Sequence, residues 1–198
     1  MDGKTVTQPP AAASYTEVTT GATGTSSEKN TAGTLNLLVG ASSTDAISNA
    51  YTKALANSST FTLTVGFKMN LTGTTYPGFF IGLSDGTGAT GNEQAIVIGS
   101  SLTSGTVIGS GVQNMVNWAY NAWVNIGSSA NPIPLSLNGI GYFRIRHASG
   151  TRYYEVSADR NNWSVVYSTT TSSHTTPTHY FLRAAGRGSV AVFHLLDE

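Results

Sequence analysis

The chain has 198 residues, with ten basic and ten acidic side chains, no cysteine and a formal net charge of zero. A chain of this length buries about 70% of its unfolded surface, so one core needs neither disulfides nor a structural metal. Zero net charge excludes electrostatic capture of nucleic acid as the main activity, and 39% apolar content excludes disorder throughout.

Charged residues are only 10% of the chain, while Ser and Thr together number 51, so hydroxyls and amides replace charge on the surface. No run approaches 18 apolar residues, and no membrane insertion is expected. The start, Met1-Asp2-Gly3-Lys4-Thr5, lacks the basic flank and apolar stretch of a secretory signal. A surface-type composition without an export signal fits a bacteriophage virion protein, which assembles inside the cell and leaves by lysis.

Residues 1–32 carry Pro9-Pro10, an Ala run and Thr/Ser/Gly clusters, with little that is large and apolar beyond Tyr15. Such a segment buries too little to offset its ordering entropy. It is expected to be an extended low-complexity arm held by a partner subunit, followed by a β-sandwich domain over residues 33–198.

From Gly33 onward the hydrophobic period is two. Phe61, Leu63, Val65, Phe67 and Met69 alternate with Thr62, Thr64, Gly66, Lys68 and Asn70, the pattern of a half-buried strand. Further strands are expected at 35–39, 79–83, 95–98, 112–118, 123–126, 142–147, 152–157, 163–168, 179–183 and 190–196. One short helix is expected over 45–55, where Ile47, Ala50, Tyr51, Ala54 and Leu55 approximate a 3.6-residue period. Many short strands punctuated by Gly, Asn, Asp, Ser and Pro argue an all-β, two-sheet antiparallel sandwich of the jelly-roll kind. Its expected core includes Phe61, Leu63, Val65, Phe67, Phe143, Ile145, Tyr154, Val156 and Val192.

One hairpin can be placed in register. With Ser149-Gly150 as a two-residue turn, Ile145 faces Tyr154 and Phe143 faces Val156 on one side. Arg146 then faces Tyr153, and Arg144 faces Glu155, on the other. A slip of one residue breaks every pair.

Most motifs fail their own chemistry. Gly86-Thr87-Gly88-Ala89-Thr90-Gly91 spells a dinucleotide fingerprint, but strand-like sequence follows where a helix is needed, and no acid occurs between Glu93 and Glu155. His147, His174, His179 and His194 lack the paired spacing of a zinc site. No two acids stand two apart on a strand, as a glycosidase pair would require, and no Ser-nucleophile elbow occurs. Asp85, Asn92 and Glu93 flank one loop and are weak calcium candidates, with a solvated turn the competing reading. No cofactor is expected. In Ser157-Ala158-Asp159-Arg160-Asn161-Asn162-Trp163, Asp159 caps a turn, an Asn takes the positive φ, and Trp163 packs back over the hairpin, as in a shortened Asp-box.

The stretches Gly141–His147, Tyr153–Asp159, Asn162-Trp163, Val166–Ser168 and Thr176–Leu182 resemble the concanavalin-A-like, laminin-G-like jelly-roll modules of bacterial surface and phage structural proteins. The resemblance spans about residues 59–196 and is strongest over 141–184. It implies the sandwich fold and a family of lectins, glycosidases and bare structural modules. The Glu-x-Asp-x-Glu motif of the glycosidase branch is missing from this sequence.

The function expected first is a non-enzymatic virion surface protein, a capsid or tail decoration or fibre module. Residues 1–32 would anchor it to other virion proteins in a homo-oligomer. The alternative is a lectin-like host-attachment module for cell-surface glycans. Trp118, Tyr120, Asn121, Trp123, Asn125, Arg144, Arg146 and Tyr153 would supply its aromatic faces and polar groups. Strand parity sets Trp123 with the polar side chains, against the usual place of a Trp in the core. A glycoside hydrolase is the third reading.

Overall fold

The structure is a computed structural model, and it describes residues 16–20, 35–38, 48–86, 91–100, 108–116, 124–126, 140–170 and 174–197. These form eleven strands: β1 (Thr16–Thr20), β2 (Leu35–Leu38), β3 (Ser48–Ala54), β4 (Phe61–Ser84), β5 (Asn92–Ser100), β6 (Ile108–Val116), β7 (Val124–Ile126), β8 (Ile140–Ala148), β9 (Thr151–Ser157), β10 (Ser164–Thr170) and β11 (His179–Asp197). Every pairing is antiparallel, and no helix occurs among the described residues.

The long strands β4 and β11 pair with each other and divide their length between two sheets. Their ends around Gly78–Ser84 and His179–Ala185 build the order β1-β3-β11-β4-β5-β6-β7. Their other halves build β2-β11-β4-β8-β9-β10, through Phe61–Lys68 on β8 and Val190–Phe193 on β2. The register between them shifts on either side of Arg187, where Gly186 on β11 meets the Tyr76-Pro77 stretch of β4 and Gly188 meets Thr72-Gly73-Thr74. Bulges and glycine are how a strand turns from one sheet into the next, and a bulge tolerates a proline that cannot donate. Thus two strands expected from sequence at 61–69 and 79–83 are one strand, as are those expected at 179–183 and 190–196.

The sheets meet face to face. Leu63, Val65, Phe143, Ile145, Tyr154 and Val156 line the inner face of one, and Ile81, Leu83, Ile96, Val112, Tyr180 and Leu182 that of the other, all buried. Each such side chain contributes about 1.5–3 kcal/mol of transfer free energy. Phe61 is half-buried at the sheet end, its ring edge-on to His147 at 5.3 Å. Phe67 and Val192 occupy strand positions in β4 and β11, and their side chains lie outside the description.

One polar network ties the layers together. Gln94 of β5 accepts at Oε1 from Arg152 Nη1 (2.8 Å) and Tyr154 Oη (2.6 Å), both on β9 of the facing sheet. Its Nε2 donates to Asn114 Oδ1 (2.9 Å), and Arg152 Nη2 donates to the Thr175 carbonyl (3.0 Å). Burial pushes the Tyr154 hydroxyl far above the usual phenol range, so it stays a donor. The seven-stranded sheet is also buried on its other face, where Thr52, Phe80, Ser84, Glu93, Ala95, Phe181 and Arg183 are all inaccessible.

Two sequence expectations are corrected. Residues 48–54 are a strand, not part of a helix: β3 is bonded on one side to β1 and on the other to β11. Ladder partners on both flanks outweigh a short stretch of helical spacing, and period two already places Ala50 and Thr52 on one buried face. Five residues assigned to the arm, Thr16–Thr20, lie in the sandwich as edge strand β1, and the rest of residues 1–32 lies outside the described residues.

Candidate functional site

The β8–β9 hairpin fixes the most developed surface among the described residues. Ser149 and Gly150 both adopt positive φ, 52° and 76°, the requirement of a type I′ turn. Such a turn matches strand twist and sets the register, with Ala148 opposite Thr151, Arg146 opposite Tyr153 and Arg144 opposite Glu155. Because side chains alternate, Phe143, Ile145 and His147 go inward, and Arg144 and Arg146 go outward. The register expected from the sequence is the register observed.

Neighbouring strands extend these pairs into two rows on the outer face. The first row is Thr62 (β4), Arg146 (β8), Tyr153 (β9) and Ser168 (β10). The second is Thr64, Arg144, Glu155 and Val165. Thr62 and Ser168 are exposed, and Arg146 and Tyr153 are half-exposed. In the second row Thr64 and Glu155 are buried, while Val165 is 52% exposed.

Electrostatics locks the centre of this face. Arg144 Nε donates to Glu155 Oε2 at 2.6 Å, and Arg146 Nη2 reaches Glu155 Oε1 at 3.4 Å. Burial of Glu155 raises its carboxyl pKa, but the bonds from Arg144 and Arg146 outweigh burial and hold it below its usual value. Each guanidinium also covers an aromatic ring: Arg144 Cζ lies 4.2 Å from the Trp163 centroid, and Arg146 Cζ 4.1 Å from that of Tyr153.

Trp163 reaches Arg144 because the β9–β10 turn is tightly built. Asp159 Oδ1 accepts from the backbone N–H groups of Asn161 (2.9 Å) and Asn162 (2.8 Å), and Oδ2 from Asn162 Nδ2 (2.6 Å). Ser157 Oγ accepts from Arg160 N at 2.9 Å, and the indole Nε1–H donates back to the Arg160 carbonyl at 3.0 Å. The positive φ falls on Arg160 (66°), not on an Asn as the sequence suggested. Arg160 lies between the Asp159 carboxylate and the Asn161 and Asn162 groups that donate to it, so the turn closes with Arg160 in the left-handed region. The amide donors, those of Asn162 foremost, hold the Asp159 carboxyl far below the carboxylate range. Glu155 and Asp159 are both held ionised, and neither is suited to deliver a proton to a leaving group.

Of the glycan candidates read from sequence, Arg144, Arg146 and Tyr153 come together here. Trp118, Tyr120, Asn121 and Trp123 lie outside the described residues. Asn125 stands in β7 at the register position opposite Gln113, in the other sheet. The sequence reading omitted Trp163, Thr62 and Ser168 from the site. The hairpin register contained the signal for Thr62 and Ser168, since one more strand on each side completes the row.

Of the calcium candidates, Asp85 and Asn92 are bonded to each other, and Glu93 stands apart. Asp85 Oδ1 accepts from Asn92 N (2.7 Å) and Oδ2 from Asn92 Nδ2 (2.9 Å), which closes the loop between β4 and β5. Glu93 is fully buried on the opposite face of β5 from Asn92. No group of three His, Asp or Glu side chains suited to a metal occurs among the described residues.

No family model matches this sequence, and no curated protein matches it. Solved structures do share the fold. A lectin from Bauhinia forficata in complex with GalNAc has a TM-score of 0.61 at 11% identity, over 93% of this chain and 91% of that one. The exoplasmic/lumenal domain of VIP36 in its Ca2+/Man-bound form gives 0.57 at 16%, over 93% and 84%. A functionally unknown protein from Saccharomyces cerevisiae gives 0.53 at 16%, over 92% and 93%. The fold is that of the concanavalin-A-like lectins.

Proposed function

We propose that this chain is a non-enzymatic glycan-binding protein whose sugar-contacting surface is the outer face of β4, β8, β9 and β10. The observation that carries the reading is the first row: hydroxyl, guanidinium, phenol and hydroxyl side by side, fixed by register and open to water. Sugars are recognised by donors and acceptors for their hydroxyls set beside aromatic groups, and this row supplies the hydroxyls, the guanidinium and the phenol. Its side chains are pre-positioned by Glu155 and by the neighbouring strands, so little ordering entropy is lost on binding. Two structures that share the fold, a lectin in complex with GalNAc and the VIP36 domain in its Ca2+/Man-bound form, support the same direction. Lectin chemistry takes precedence here over the virion-anchoring reading, which rests on residues 1–32.

The test is a glycan array probed with labelled protein, alongside Arg146→Ala and Tyr153→Ala. Binding to a defined set of saccharides, lost in both variants while their melting temperatures hold, is the expected result. Incubation with the bound saccharides should release no reducing ends. Array binding that survives both substitutions moves the site elsewhere, and catalytic release of sugar overturns the non-enzymatic assignment.

A further inference from the structure

Resting on that glycan-binding reading, we infer that the ligand is an anionic saccharide chain, bearing carboxylate or sulfate groups, laid across the strands with an acidic group on Arg146. The charges on this face do not balance: Arg144 and Arg146 share the single carboxylate of Glu155. They are not equivalent. Arg144 holds the short bond, lies over Trp163, and its side chain is 23% exposed. Arg146 touches Glu155 through one nitrogen at 3.4 Å, the long limit for a hydrogen bond, and its side chain is 37% exposed.

A guanidinium carries five N–H donors in a planar fork, and Arg146 commits one of them to Glu155. The Arg146 side chain is 37% exposed on the outer face, where a bidentate carboxylate or sulfate is the complementary partner of a guanidinium fork. Tyr153 beneath it fixes the fork through cation–π contact, so the donor plane is set before the ligand arrives.

The shape of the surface sets the length of the ligand. Thr62, Arg146, Tyr153 and Ser168 stand on four adjacent strands, and three inter-strand spacings span about 14 Å. Thr62 and Ser168 at its ends are exposed, with Arg146 and Tyr153 half-exposed between them, so the row is accessible along its length. An extended chain running across the strands meets a hydroxyl at each end of the strip and the cation near its middle. The whole chain carries no net charge, so the preference for an acidic ligand is local to this strip and does not come from a general basic surface.

The experiment is titration of the full chain, by calorimetry, with four probes of similar length. They are a polygalacturonate oligomer (carboxylate), a heparin-derived oligosaccharide (sulfate), and a neutral malto-oligosaccharide and galacto-oligosaccharide pair. At least one acidic probe should bind about ten-fold or more tightly than both neutral ones, with affinity falling as salt rises. Which acidic probe binds identifies the group. Arg146→Gln should remove about ten-fold of the acidic affinity, and Arg146→Lys, which keeps the charge but not the fork, should restore part of it. Neutral probes that bind as tightly as acidic ones, with Arg146→Gln without effect, overturn the anionic assignment and leave the glycan reading standing. An acidic probe whose affinity ignores Arg146→Gln also overturns it. If no saccharide of either class binds here or on the array, the glycan reading itself falls.

Discussion

Replacing Gln94 by Ala tests how the two sheets are held in one arrangement. Gln94 is fully buried, and its amide is bonded to Arg152, Tyr154 and Asn114 at 2.6–2.9 Å. Truncation removes one charge-assisted bond, of about 1.5–3 kcal/mol, and two neutral bonds of about 1 kcal/mol each. The sum is about 4 kcal/mol, before any relaxation that lets water enter. For a chain of this size each kcal/mol lowers the melting temperature by about 2–4 °C, so a fall of about 8–16 °C is expected. The assay is urea unfolding of the variant and of Tyr154→Phe, singly and together. Residues in one network should show a coupling of about 0.5–3 kcal/mol in that cycle. A Gln94→Ala cost below about 1 kcal/mol at unchanged m value would refute the network as the inter-sheet tie.

Other predictions follow from particular contacts. Gly82→Ala places a Cβ within 2.5 Å of Phe181 Cζ, 2.6 Å of Ala95 Cβ and 2.8 Å of the Gln94 carbonyl. Backbone oxygen cannot move aside, so a loss of about 1–3 kcal/mol is expected in urea unfolding. His147 is buried, with its pKa lowered from 6.5 by desolvation and by the adjacent Arg152. As pH falls below 6.5 the unfolded chain takes up a proton that the folded chain refuses, so stability declines in acid. His147→Asn should flatten that part of the stability profile, and a slope unchanged in the variant would exclude His147 as its source. Glu155 acts at lower pH: its folded pKa is depressed below 4.5, so its contribution is complete above that pH and is lost as pH falls through the folded value. Glu155→Gln should remove that loss and cost about 1–2 kcal/mol at neutral pH, measured by denaturant titration.

The hairpin was legible from sequence because two independent signals agreed there. A Ser-Gly turn and four matched pairs left one register open, and the outer positions of Arg144, Arg146, Tyr153 and Glu155 followed from parity. Two kinds of feature were not legible. The union of separate apolar runs into β4 and β11 depends on bulges near Arg187 and Pro77 that keep the ladder going through glycine-rich sequence, which on its own reads as a turn. The role of Trp163 depends on the positive φ at Arg160 and the Asp159 cap, a local geometry that aims an aromatic ring without changing its spacing. Gln94 likewise looks like an exposed polar residue in an alternating strand until the facing sheet supplies Arg152 and Tyr154. Strand alternation reports which side a residue faces, and the partner on that side is a tertiary fact.

The most direct test of the account is residue-resolved NMR of the full chain during titration with an oligosaccharide that the array identifies. The largest amide and side-chain shift changes should fall on Thr62, Arg146, Tyr153, Ser168 and the Trp163 indole, with Gln94 and Tyr154 in the interior unmoved. Shift changes that leave this face silent and gather on the other sheet, around β6 and β7, would contradict the placement of the site.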